Sequence, residues 1–131
     1  VFATFEKDPA YKIFVMDGQS IPVLDYLEIR PEKTTAVKRY VAEGRLRLGP
    51  WLVMPDEWLV SGESLIRNLQ AGIRVAEEFG AASKAGFICD TFGHISQLPQ
   101  IFRQLGSSPH SSGAISERRG RRQSRCRRTK N

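Results

Sequence analysis

The apolar positions of this chain follow two rhythms that take turns. Compact runs at 11–16, 46–54 and 86–89 are bounded by glycine, proline or aspartate, and they suit short strands. Between them Val37, Tyr40 and Val41, and then Leu65, Leu69, Ile73 and Ala76, recur at three- and four-residue intervals, the spacing of one helix face. The punctuation agrees. Asp17 and Gly18 end the first run, and 19–22 reads as loop. Residues 25–30 suit a short helical turn, which Pro31 interrupts. Pro31 followed by Glu32 then opens a new helix that Gly44 stops. Ser61 and Ser64 compete to cap the long helix, and Gly80 closes it. Ser96 is the expected cap of a last helix, 97–105, ending at Gly106. Residues 2–10 are polar and read as a helix that frays. Gly49 and Pro50 inside the second run predict a bulge, or an early strand end near Trp51.

Helices that alternate with strands predict an α/β fold, a parallel β-α-β-α-β-α segment with right-handed crossovers. Three parallel strands leave two open edges and close no barrel, so the segment reads as a piece of something larger. The pattern stops at Gly106. Residues 107–113 have no apolar periodicity, and 117–131 are arginine-rich with no aromatic residue. Such a stretch cannot bury enough surface to offset its ordering entropy, and it reads as a disordered basic C-terminal tail. The expected division is therefore 1–106 and 107–131.

Charge follows the same division. The net charge of +6 is the sum of −1 over residues 1–106 (12 basic, 13 acidic) and +7 over 107–131 (8 basic, 1 acidic). An argument for nucleic acid would be an argument about the tail alone. The two cysteines, Cys89 and Cys126, make no disulfide framework, so a reducing compartment is the default. No secretory leader and no bilayer-spanning apolar run are visible, and the cytoplasm is the expected location.

Candidate chemistry gathers at strand ends. Asp90 ends the third run, with Phe92-Gly93 as a turn and His94 four residues on. In parallel α/β folds the loops at the carboxyl ends of strands converge on one crevice, so an acid there is a candidate catalytic group. An aspartate that merely caps a turn looks the same. Asp56 and Glu57, after the second run, either line that crevice or belong to a solvated loop. Trp51 is either an aromatic stacking platform in that crevice or a core residue. Asp17 and Gln19, at the end of the first run, stand where pocket residues gather. Glu63, Arg67 and Asn68 read as an interhelical or capping network.

Taken in order, the landmarks are Asp17-Gly18-Gln19, Asp25-Tyr26-Leu27, Gly49-Pro50-Trp51, Pro55-Asp56-Glu57, Ser61 through Leu69, then Asp90-Thr91-Phe92-Gly93-His94-Ile95-Ser96-Gln97 and Pro99-Gln100-Ile101. Their succession resembles the N-terminal catalytic domain of the bacterial branch of glycoside hydrolase family 38, the retaining α-mannosidases, over residues 1 to about 106. The resemblance implies an incomplete α/β barrel with one zinc ion at its mouth. It makes Asp90 both nucleophile and zinc ligand, with Trp51, Asp56 and Asp17 as candidate substrate-binding residues. It leaves His94 as a residue that supports the site or its turn, with direct ligation of the metal as the alternative. The substrate implied is a mannose-containing oligosaccharide. The family's remaining zinc ligands and its acid/base have no counterpart in this sequence, so the fragment alone is expected to be inactive. A retaining glycosidase needs two carboxylates about 5–5.5 Å apart, one attacking and one protonating. A short aspartate fixed at a strand end suits attack and metal ligation together.

The tail has three readings: an arm on nucleic acid phosphates, a targeting or partner segment, or a non-native continuation after a frame slip near Gly106. The first gives the alternative function, a non-catalytic binding protein that uses the basic tail.

Overall fold

The computed structural model describes residues 1–88 and 92–106, and the backbone of Ser108 and Pro109. The elements run α1 (Phe2–Lys7), β1 (Phe14–Val15), α2 (Ile21–Ile29), a 3₁₀ turn (Pro31–Lys33), α3 (Thr34–Ala42), β2 (Leu46–Arg47), α4 (Gly62–Glu78), β3 (Ala85–Gly86), α5 (Leu98–Gln104) and β4 (Ser108–Pro109). β1 lies parallel to β2, with Phe14 opposite Leu46 and Val15 opposite Arg47. β3 lies parallel to β4, with Ala85 opposite Ser108 and Gly86 opposite Pro109. A single parallel bridge, Leu48 to Ala82, joins the two pairs, and a second, Gln19 to Trp51, extends the first. The result is a small mixed α/β domain whose short strands are parallel and follow one another in chain order.

The strands are shorter than the apolar runs that predict them. Gly49 turns the chain at φ 69° and Pro50 has no N–H, so the β2 ladder stops and returns only as the Gln19–Trp51 bridge. The early end expected near Trp51 is met. Three boundaries differ from expectation. The helix placed at 25–30 begins at Ile21, because Pro22 sits in its first turn, where its fixed φ suits a helix start. The last helix starts at Leu98 with Gln97 in the cap position and Pro99 in the first turn, which leaves Ser96 one residue outside. The ordered chain also does not end at Gly106, since Ser108 and Pro109 form β4 against β3. The disordered reading of the tail beyond β4 lies outside the described residues.

α4 follows its sequence closely. Ser61 takes the cap, its Oγ accepting from the Ser64 N–H at 3.1 Å. Leu65, Leu69 and Ala76 are buried as the periodicity requires. So is Gly72, which the periodicity does not mark. A Cβ there would collide with the backbone of Pro50, Trp51 and Leu52, so glycine lets the helix lie directly on the chain leaving β2. The Ser20 hydroxyl donates to the Gly72 carbonyl at 3.1 Å, which draws the start of α2 to the same point.

Apolar burial falls into two clusters. One gathers Phe5, Val23, Val37, Tyr40, Val41, Leu46, Leu48, Ala76 and Phe79 among α1, α2, α3, β2 and the end of α4. Arg45 stitches it together. Its guanidinium lies 4.5 Å from the centre of the Phe5 ring and donates to the carbonyls of Phe5 and Tyr11, both at 3.2 Å. The other cluster holds Trp51, Leu65, Leu69, Ile88, Leu98 and Phe102, beneath the exits of β2 and β3.

Candidate functional site

The exits of β1, β2 and β3 meet. After β1, Asp17 and Gly18 both have positive φ, 47° and 68°, and the Gln19 N–H returns to the Met16 carbonyl at 2.9 Å. Aspartate and glycine tolerate such a turn, which accounts for the pair in the sequence. The Trp51 N–H donates to the Gly18 carbonyl at 3.0 Å, and the Trp51 indole N–H donates to the Phe87 carbonyl at 2.9 Å. A Cβ on Gly18 would stand 2.6 Å from that of Phe87. The chain leaving β3 is thus pressed against the turn after β1 and tied to the chain leaving β2. Asp90 follows two residues beyond the buried Ile88. Asp90 and Cys89 lie outside the described residues, and so does the proposed attacking atom.

Polar ties fix the loop after β2. The Asn68 side chain, projecting from α4, accepts from the N–H groups of Leu52 at 3.1 Å and Val53 at 3.0 Å, and donates to the Val53 carbonyl. The Gln19 side chain accepts from the Met54 N–H at 2.9 Å. Of the two adjacent acids, Asp56 turns back on its own loop, its Oδ1 accepting from the Trp58 N–H at 3.1 Å. Glu57 reaches across. Its side chain is only 1% exposed; Oε1 lies 2.9 Å from His94 Nδ1, and Oε2 accepts from the Ile95 N–H at 2.7 Å. On the outer side the Trp58 indole lies against Gly93, whose φ is 140°. A Cβ on Gly93 would approach the indole nitrogen to 2.6 Å. The turn is therefore held on both sides by neighbours in one loop.

The sequence candidates separate accordingly. Asp17, in the turn after β1, is exposed, and Asp56, in the loop after β2, is half-buried. Trp51 is 1% exposed and meets the Phe102 ring edge-on at 5.5 Å between centroids, so of its two readings the core one matches this geometry. His94 supports the turn through Glu57. Asn68 is a clamp on the chain leaving β2, whereas Glu63 and Arg67 form an exposed i,i+4 pair at 2.6 Å that stays within α4. The Glu57–His94 tie escapes sequence reasoning because 37 residues separate the partners. The one local sign was the asymmetry of an Asp-Glu pair in which the first acid can satisfy its own turn. Trp58 at 65%, Leu59 at 84% and Phe92 at 89% exposure form apolar ground around the mouth.

No group of three or more His, Cys, Asp or Glu side chains comes together as a metal site among the described residues. These residues therefore do not make up a zinc set, and the one ligand that the resemblance assigns to this chain, Asp90, is not among them. No helix among the described residues is long and apolar enough to cross a membrane.

Comparison with known proteins adds a family. The model of the glycosyl hydrolases family 38 N-terminal domain matches residues 1–116. A Halalkalibacterium halodurans protein named as a mannosylglycerate hydrolase is 46% identical over 103 residues, 78% of this chain and 12% of that protein. The α-mannosidase G of Dictyostelium discoideum is 42% identical over 79 residues, 58% of this chain and 7% of its own. Among solved structures, an α-mannosidase from Enterococcus faecalis V583 superposes with a TM-score of 0.77 at 40% identity, over 84% of this chain and 12% of that one. The chain thus spans about an eighth or less of the length of these relatives.

Proposed function

This chain belongs to glycosyl hydrolase family 38, and on that premise we propose that residues 1–106 serve in the catalytic domain of a retaining α-mannosidase. The observation that carries the reading is the family match over residues 1–116, which takes in the D-x-F-G-H stretch. Asp90 is the attacking carboxylate. It adds to the anomeric carbon of a terminal α-mannoside as the leaving oxygen is protonated, and water then hydrolyses the resulting glycosyl ester. The acid/base is assigned to no residue of this chain. Zinc, when bound, would hold sugar hydroxyls and the attacking carboxylate. Asp90 is the one ligand proposed in this chain. Asp17 and Asp56 are proposed at the rim of the substrate site. Trp51 is not carried forward as a sugar platform, because its ring is enclosed by core.

The architecture proposed is the opening β/α units of an incomplete α/β barrel. Parallel strands in chain order support it, as do the apolar side chains left exposed around the mouth. The domain proposed is 1–106, with β4 just beyond it, and a non-native continuation is the proposal kept for the residues after β4. The cytoplasm stays the proposed location on the cysteine count. The substrate proposed is a mannose-containing glycan. A second reading, a mannoside of a small carboxylic acid, is favoured by the name of the Halalkalibacterium relative.

The test is a spliced enzyme, in which residues 1–106 replace the matching segment of the Enterococcus α-mannosidase. The account expects it to release mannose from an aryl α-mannoside, Asp90→Asn to abolish that release, and the 131-residue chain alone to release none. A comparison of a mannosyl glycan with mannosylglycerate then separates the two substrate readings. Full activity with Asp90→Asn overturns the nucleophile assignment.

A further inference from the structure

Glu57 is a buried carboxylate that the proposed reaction leaves without a task. Taking a carboxylate out of water is costly unless donors replace the lost solvent. Two donors are in place, and both come from a single remote turn: His94 at Nδ1 and the Ile95 N–H. A bond from His94 Nδ1 to a carboxylate oxygen requires that nitrogen to carry a proton, so the contact excludes the neutral ring protonated on Nε2 alone. The adjacent Trp58 covers Gly93 from outside. The base of this grip is also immobilised, since Asn68 holds 52–53, the Gln19 side chain holds Met54 and Asp56 holds the Trp58 N–H. Through this loop, residues 93–95 are referenced to α4 and β1.

We propose that Glu57 is a positioning residue: through His94 and Ile95 it sets where the turn behind Asp90 lies, and so where that carboxylate is presented. The inference rests on the reading of Asp90 as the attacking group. Its physical motive is that a misplacement of about 1 Å in a reacting group can cost on the order of a hundredfold in rate.

The test uses the full 131-residue chain and nitrogen-15 NMR, with Glu57→Gln, Glu57→Asp and Asp90→Asn. In the unaltered chain, His94 is expected to carry its proton on Nδ1, and the Ile95 amide to exchange slowly. Glu57→Gln should remove the Nδ1 signature and speed Ile95 exchange roughly tenfold or more, while the amides of Leu69 and Phe102 keep their protection. Glu57→Asp keeps the charge but is one methylene shorter, and should restore part of the Nδ1 signature. An unprotonated Nδ1 in the unaltered chain, or Ile95 protection unchanged in a folded Glu57→Gln, overturns the proposal. So does loss of the whole fold in both Glu57 variants, which would make Glu57 a general core residue. Asp90→Asn should leave both signals intact. The clamp is thereby read without reference to activity, and survival of activity in Asp90→Asn of the spliced enzyme would sink the functional reading while these signals still report on Glu57.

Discussion

The cluster around Tyr40 and the cluster around Trp51 are both built of buried apolar side chains, but they are held by different means. Around Tyr40, helices α1 to α3 close over β1 and β2 with aromatic and aliphatic side chains: Phe2, Phe5, Tyr11 and Tyr40 form a chain of rings, and Arg45 lies over two of them. The Arg45 guanidinium ties α1 and the approach to β1. Around Trp51, apolar contact supplies the floor and side-chain hydrogen bonds set the geometry above it: Trp51 to Phe87, Asn68 to 52–53, Gln19 to Met54 and Glu57 to 94–95. Apolar burial is tolerant of direction, whereas hydrogen bonds fix distances and angles. The first region is built to hold the chain together. The second is built to place three strand exits against one another, and that is the half where the chemistry is assigned.

Substitutions that separate holding from placing sharpen this contrast. The largest effect belongs to Asp90→Asn in the spliced enzyme, with a loss of activity of roughly a thousandfold or more and an unchanged melting temperature. Next comes Leu69→Ala, which removes a fully buried side chain from the second cluster and should cost about 2–5 kcal/mol in denaturant unfolding. Gly72→Ala forces α4 off the chain leaving β2, and should cost about 1–3 kcal/mol while disturbing Trp51 fluorescence. Glu57→Gln in the spliced enzyme should lower kcat by roughly 10- to 100-fold with KM little moved, the mark of misplacement rather than lost binding. The smallest effect is that of Glu63→Ala, which breaks an exposed ion pair and should change stability by less than about 0.5 kcal/mol, with activity unaltered. If Glu57→Gln changed only stability, or Leu69→Ala only activity, the division of labour would be wrong.

The same contrast explains what the sequence makes legible. Val37, Tyr40, Val41, Leu65 and Leu69 announce their burial through helical spacing, and all five are buried. Asp17-Gly18, Gly49-Pro50 and Ser61 announce turns and a cap through local backbone chemistry, and each does what its residue type suggests. Apolar burial and turn chemistry are local or periodic, so one strand of text carries them. Gly72 and Glu57 announce nothing. A mid-helix glycine becomes meaningful only when another backbone arrives at it, and Glu57 only when a turn 37 residues away brings its donors. Ser20 was readable as loop chemistry, yet its hydroxyl serves α4 across 52 residues. The starts of α2 and α5 were misplaced by a few residues, because the prolines in their first turns mark a helix start more strongly than the nearby serine does. The order of the landmarks, rather than any one of them, pointed to the family.

The central claim is that Asp90 attacks the sugar from the crevice formed by these three strand exits. The most direct measurement is to quench the spliced enzyme during turnover of an aryl α-mannoside with a good leaving group, digest it, and weigh its peptides. The account predicts that the peptide containing Asp90 gains the mass of one mannosyl residue, in an ester that disappears in the Asp90→Asn variant. A mannosyl adduct on any other carboxylate, or turnover through Asp90→Asn at the unaltered rate, would contradict it.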